Sequence, residues 1–320
     1  MERQRQFPRT PSAFVIATTN FDENGNLDED AWRLHCQRMV AAGIGMYVGG
    51  SSPGEQYNMT PKEVERVIAI AVEEMKGKVP VRAMGVEPRN AKQMMEFMDL
   101  AVDSGVDAVQ LYSLDLGHGN KPTLTKDGEL ETYLRTIIEY VDKKSPGFPI
   151  VPSSHMAMQY NHPVDLVDRI VTDYDNIIGL SFTSPSITDL TDHIERVGDR
   201  IDIHVGGQMH GITALSMGAA GFLTSDGNAI PKMSQAVIDH WLAGDYPKAF
   251  DAFHQIMRFS TRPPGAQGGA SVVWTKLAMK ILGLPGYHLS KPYILPGEAG
   301  EKALAEHMKK LGIAKLEGLG

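Results

Sequence analysis

The feature that most constrains this chain is a rhythm: eight short apolar runs, each followed by a helical pattern of roughly ten to sixteen residues. The runs are AFVIAT from Ala13, MYVGG from Met46, VRAMG from Val81, AVQLY from Ala108, IVP from Ile150, IIGLS from Ile177, DIHVGG from Asp202 and GFLT from Gly221. Each is bounded by Gly, Pro, Asn or Asp, the punctuation of short buried strands. Strands and helices in strict alternation build a parallel sheet, and eight such pairs predict an α/β chain of the (β/α)₈, or TIM, barrel class. Local signals mark the helix ends. Thr60-Pro61-Lys62-Glu63 is a capping box with proline at the first helical position, and Gly105 and Gly218 close helices just before apolar strands. Three more helical patterns follow strand eight, over Tyr246 to Ser260, Ala270 to Leu282 and Ala299 to Leu311. The expected organisation is a barrel over residues 10–245 with a C-terminal helical extension over 246–320 packed on it.

Composition narrows the function classes. With 42% hydrophobic and 22% charged residues the chain can bury a sizeable core. A net charge of -8 weighs against a nucleic-acid partner. The basic N-terminus MERQRQFPRT lacks an apolar signal core, and no apolar run is long enough to span a bilayer, so no membrane partner is expected. The single cysteine, Cys36, excludes an intramolecular disulfide and reads as a small apolar helix residue rather than a catalytic thiol. Together these give the expectation of a cytoplasmic protein acting on a small molecule.

Barrels of this class hold their chemistry at the carboxyl ends of the strands. The positions there include Ser51 and Ser52, Tyr112, Ser153, His155, Ser181, His204 and Gly206. Ser51 and Ser52 are adjacent hydroxyls in a glycine-rich turn and can both donate to a carboxylate, with a turn or cap role as the competing explanation. His118, His155, His204 and His210, with Glu87, Asp115 and Asp226, can supply general acid and base or hold a divalent metal. Their spacing forms no compact ligand motif, so no metal or cofactor is expected and a divalent ion is the lesser alternative. Gly206-Gly207 and Gly227-Asn228 stand where many barrels bind phosphate, but they read first as tight-turn glycines.

Several segments resemble, in order, the dihydrodipicolinate synthase and N-acetylneuraminate lyase family. Gly49-Gly50-Ser51-Ser52-Pro53-Gly54-Glu55 is similar to its strand-two signature, with an inserted proline, and Met59-Thr60-Pro61-Lys62-Glu63 to the helix start that follows. Asn176-Ile177-Ile178-Gly179-Leu180 resembles the approach to the family lysine. Met217-Gly218-Ala219-Ala220-Gly221 through Lys232 is similar to strand eight and its helix, and Lys276 through Leu284 with Pro292 to the C-terminal segment. The resemblance implies a strand-six lysine that forms an imine with a 2-keto acid, a strand-five tyrosine that shuttles protons, an arginine near strand five, and strand-two hydroxyls that hold the substrate carboxylate. Carried over residue by residue, the lysine falls on Ser181, the tyrosine and its following asparagine on Ser153-Ser154, and the arginine on or near Met158. Ser51 and Ser52 keep the hydroxyls. Tyr160-Asn161-His162-Pro163 offers a second placement of the tyrosine, and Lys121 a second lysine near a strand end.

These readings set the expected function: a lyase with aldolase, hydratase or dehydratase chemistry that acts on a small oxygenated or carboxylated substrate without a lysine imine. Catalytic candidates are Ser153, His155, Ser181 and Tyr160, and substrate-binding candidates are Ser51, Ser52, Tyr112, His204 and Gly206. Two alternatives stay open: a ligand-binding or regulatory paralogue without catalysis, and a Schiff-base 2-keto acid aldolase with a relocated lysine. The resemblance also implies a homodimer or homotetramer.

Overall fold

The computed structural model describes residues 10–114, 127–153, 162–206, 210–261, 263 and 271–319. Eight parallel strands close in chain order into a barrel: β1 (Ser12–Ile16), β2 (Gly45–Gly49), β3 (Val81–Met84), β4 (Ala108–Tyr112), β5 (Ile150–Ser153), β6 (Gly179–Phe182), β7 (Asp202–Gly206) and β8 (Gly221–Thr224). Between them run α1 (Glu29–Ala42), α2 (Pro61–Met75), α3 (Ala91–Ser104), α4 (Asp127–Lys144), α5 (Val164–Asp173), α6 (Ile187–Val197) and α7 (Gly211–Ser216). After β8 come α8 (Pro231–Leu242), α9 (Tyr246–Ser260), α10 (Ser271–Ile281), α11 (Glu298–Leu311) and α12 (Ile313–Glu317). The (β/α)₈ class read from the alternation is therefore the fold found. Strand six starts later than its apolar run suggests, because Ile177 makes only an isolated bridge to Ile150 and the regular ladder begins at Gly179.

Contacts gather the chain into two compact units, Ser12–Val81 with Leu223–Gly320, and Arg82–Phe222. In the first, the capping box forms as the sequence requires. The Thr60 side chain accepts from the Glu63 amide, and the Glu63 carboxylate accepts from the Thr60 amide at 2.7 Å. Asp28 caps α1 by accepting from Ala31, and Gly43 ends that helix at φ 73°. Trp32 is fully buried and its Nε1 donates to the Val67 carbonyl at 2.9 Å, locking α1 to α2. Cys36 lies on the same buried face of α1, where burial pushes its thiol up, away from the reactive thiolate.

In the second unit, strand alternation decides which side chains face inward. Pro152 and Leu180 line one gap together with Leu134 of α4 and with Val167 and Ile170 of α5, and Phe182 packs on His193 of α6 at 5.0 Å. Pro152, Leu180 and Phe182 therefore face the helices, and their neighbours Ser153 and Ser181 face inward.

Candidate functional site

Residues paired in register in a parallel sheet project to the same face. Tyr112 of β4 pairs with Ser153 of β5, Ser153 with Ser181 of β6, and Ser181 with His204 of β7. These four sequence candidates thus form one inward row across four adjacent strands. Gln110, two residues before Tyr112, joins them: its Nε2 donates to Ser153 Oγ at 2.5 Å. Arg82 of β3 pairs with Ala108, which shares the face of Gln110, so the guanidinium stem also starts inward. The inner layers of such barrels are ordinarily filled by bulky branched apolar side chains. Arginine, glutamine, two serines and histidine in their place form a polar site, because buried polar groups cost free energy unless something satisfies them.

The electrostatics of this row follow from burial. His204 is buried, and desolvation together with the positive charge of Arg82 lowers its pKa to about 3. At neutral pH the ring is an uncharged imidazole, able to donate from one nitrogen and accept at the other. Ser153, the last residue of β5, uses its oxygen to accept from Gln110. The Gln110 carbonyl oxygen has no hydrogen-bond partner among the described residues, and Ser181 is buried beside it in the same row. Gly206 ends β7, where a Cβ would meet the Thr183 methyl at 2.1 Å, so close packing alone accounts for its glycine.

Ser51 and Ser52 lie in the other unit, on the loop after β2, and neither is without an interaction. That loop is tightly specified. Gly54 sits where a Cβ would fall 2.0 Å from the Gly49 carbonyl oxygen, and Thr19 Oγ1 donates to the Gly54 carbonyl at 2.7 Å. Glu55 is held at φ 58°, a left-handed backbone that non-glycine residues rarely adopt. What holds it is its carboxylate. Oε1 accepts from the Ser290 amide at 2.9 Å and from Ser290 Oγ at 2.6 Å. Oε2 lies 2.7 Å from Lys276 Nζ of α10, a buried ion pair. Lys276 Nζ also donates to the His288 carbonyl and sits 4.5 Å from the Phe21 ring centre. Burial lowers the pKa of Lys276 to about 8, against the upward pull of Glu55.

The turn after β8 is equally committed. Asn228 Oδ1 accepts from the Thr18 amide at 3.0 Å, and its Nδ2 donates to the carbonyls of Ile16 at 2.8 Å and Ser225 at 2.7 Å. The first amides of α8 are taken by the Glu317 carboxylate, at 3.2 Å from Lys232 and 3.0 Å from Met233. Gly227-Asn228 is therefore a tight turn beside a helix start already capped from within the chain, as its glycine suggested.

With this geometry in place, the chain can be set beside known proteins. The pattern of the Dihydrodipicolinate synthetase family matches residues 11–311. The chain belongs to that family. A relative from Methanosarcina acetivorans, a 4-hydroxy-tetrahydrodipicolinate synthase, is 27% identical over 311 residues, covering 95% of this chain and 99% of the relative. One of the same description from Sorangium cellulosum is 26% identical, covering 93% and 95%. Among solved structures, YagE from E. coli K12, a prophage protein of the dihydrodipicolinic acid synthase family in complex with pyruvate, superposes with a TM-score of 0.81 at 20% identity, covering 95% of this chain and 99% of that one. CdNal from Clostridium difficile in complex with mannosamine gives 0.80 at 20%, covering 94% and 99%. At these identities the structures establish the fold.

Within this family frame, the sequence candidates divide. Tyr112, Ser153, Ser181 and His204 come together in one row, Gly206 ends the strand that carries His204, and Ser51 and Ser52 occupy the β2 loop. His155 and Tyr160 lie outside the described residues, as do Ser154, Met158, His118, Asp115 and Lys121. Among the described residues, no three His, Cys, Asp or Glu side chains gather as metal ligands would. Sequence reasoning missed Arg82, Gln110 and the Glu55–Lys276 pair as a unit. Polar residues inside apolar strand runs were the available signal for the first two. The pair joins segments too distant in the chain for any local pattern to connect.

Proposed function

We propose that this chain is a lyase with aldolase, hydratase or dehydratase chemistry, acting on a small oxygenated or carboxylated substrate without a lysine imine. The observation that carries this reading is the inward place of Ser181 between Ser153 and His204, on a strand of sequence Gly-Leu-Ser-Phe that offers no amine. A relocated lysine finds no support in the buried Lys276, whose nitrogen is engaged by Glu55 and the His288 carbonyl. Without an imine, electrons released toward a substrate oxygen have to be met by hydrogen-bond donors and fixed charge. The hydroxyls of Ser153 and Ser181, the neutral imidazole of His204 and the positive field of Arg82 supply groups of that kind. His155 and Tyr160 complete the catalytic set on sequence grounds, and Ser51 and Ser52 are assigned to the substrate carboxylate.

Trapping decides the point. Incubation with pyruvate and borohydride, followed by intact-mass measurement, is expected to leave the mass unchanged; a stable adduct on any lysine overturns the reading. Assembly as a homodimer or homotetramer is proposed from family membership and is measured by light scattering on the eluting protein.

A further inference from the structure

Among the described residues, the inward row holds a buried amide oxygen with no hydrogen-bond partner. Gln110 is 1% exposed and Ser153 and Ser181 are equally buried, yet the Gln110 carbonyl oxygen has no partner among the described residues. The only hydrogen bond found for Ser153 among the described residues is the one its oxygen accepts from Gln110. Its own O–H has no acceptor among the described residues. Buried polar groups are overwhelmingly paired, so leftover donors and acceptors at a strand end mark a place where a ligand completes the set. Ser153 is the last residue of β5, at the end of the strand where such barrels bind ligands.

We propose that Gln110 is a positioning residue that fixes the Ser153 hydroxyl as a hydrogen-bond donor to the carboxylate or carbonyl oxygen of a small 2-oxo or 2-hydroxy acid. The polarity follows from the bond itself. An amide N–H can only donate, so while Gln110 Nε2 occupies the Ser153 lone pair at 2.5 Å, the serine proton points elsewhere. An acceptor at position 110 reverses this, because the hydroxyl then spends its proton on residue 110 and presents a lone pair to an incoming anionic oxygen. The neighbouring donors fit the same ligand. Ser181 is next in register, and His204 is an uncharged ring that does not bind the ligand as a second cation beside Arg82. This inference rests on the proposed site but not on its imine-free chemistry.

The test uses the full-length protein, with pyruvate, glyoxylate and glycerate as probes and affinity measured by calorimetry between pH 5 and 8. Gln110→Met keeps the shape of the side chain and removes the amide, and is expected to weaken the best-bound probe roughly tenfold at every pH. Gln110→Glu introduces a group that donates to Ser153 when protonated and accepts when ionised. Its affinity is expected to approach wild type at the acid end and to fall at least tenfold toward pH 8, a dependence that wild type and Gln110→Met lack. In a Ser153→Ala background both substitutions are expected to lose their effect. A flat profile for Gln110→Glu, or undiminished effects without the Ser153 hydroxyl, overturns the positioning role, and failure of wild type to bind any of the three probes overturns the ligand class. Should Gln110→Glu not fold, the cycle of Gln110→Met with Ser153→Ala decides the role alone. A borohydride adduct would sink the imine-free reading while leaving this pH signature to be judged separately.

Discussion

Replacing Lys276 with methionine removes one charge from the most buried ion pair among the described residues and leaves its partner behind. Both side chains of the Glu55–Lys276 pair are 0% exposed, so solvent screening does not soften the loss. Methionine follows the aliphatic course of the lysine, so packing against Phe21 is largely kept and the perturbation is electrostatic. The Glu55 carboxylate retains its two bonds from Ser290, but its other oxygen is left as an uncompensated charge in the interior. Breaking a buried pair from one side costs about 3–5 kcal/mol. Replacing both charges together, with Lys276→Met and Glu55→Gln, removes the stranded charge while the glutamine carbonyl still accepts from Ser290. Most of the loss is then recovered, to within about 1–2 kcal/mol of wild type. Urea titration measures both variants, as a lower midpoint at unchanged slope for the single change and a restored midpoint for the double. Linkage adds a second signature. Lys276 has a folded pKa of about 8 against an ordinary value of 10.5, so between those limits the unfolded chain binds more protons than the folded one. Wild-type stability measured relative to the Lys276→Met variant therefore rises with pH across that window and is flat below it. A single variant that loses less than about 1 kcal/mol, or a double variant no more stable than the single one, refutes the reasoning.

Two further predictions concern the same half of the chain. Gly54→Ala forces a Cβ to within 2.0 Å of the Gly49 carbonyl oxygen, a backbone atom that cannot yield, so it is expected to destabilise by about 3 kcal/mol or more in thermal melts; a melting temperature within a degree of wild type would contradict this geometry. Cys36 is fully buried, and burial pushes its thiol up. Iodoacetamide at pH 8 is therefore expected to leave the native protein unmodified and to label it fully in urea, and rapid labelling of the native state would place the thiol at the surface.

Much of this protein is written locally in its sequence. The eightfold alternation specifies eight strands and their helices because apolar periodicity and end signals act within a dozen residues. The Thr60–Glu63 box, the Gly43 and Gly105 helix ends, and the limits of α9 and β4 are decisions of that range. Alternation also places Ser153 at the end of β5 and Ser181 and His204 within β6 and β7. What the sequence alone leaves open is which of these residues meet. Register between strands is a long-range property, fixed when the closed sheet and its helices pack together, and it aligns Tyr112, Ser153, Ser181 and His204 and brings Gln110 to Ser153. Likewise Glu55 reads in the sequence as the end of a glycine-rich loop. Only the tertiary structure supplies Ser290, 235 residues away, and the buried amine of Lys276 that together hold it in a left-handed backbone. A side chain in a low-dielectric interior takes its partners, and so its charge state, from whatever the fold brings within a few ångströms, and no local pattern encodes that neighbourhood.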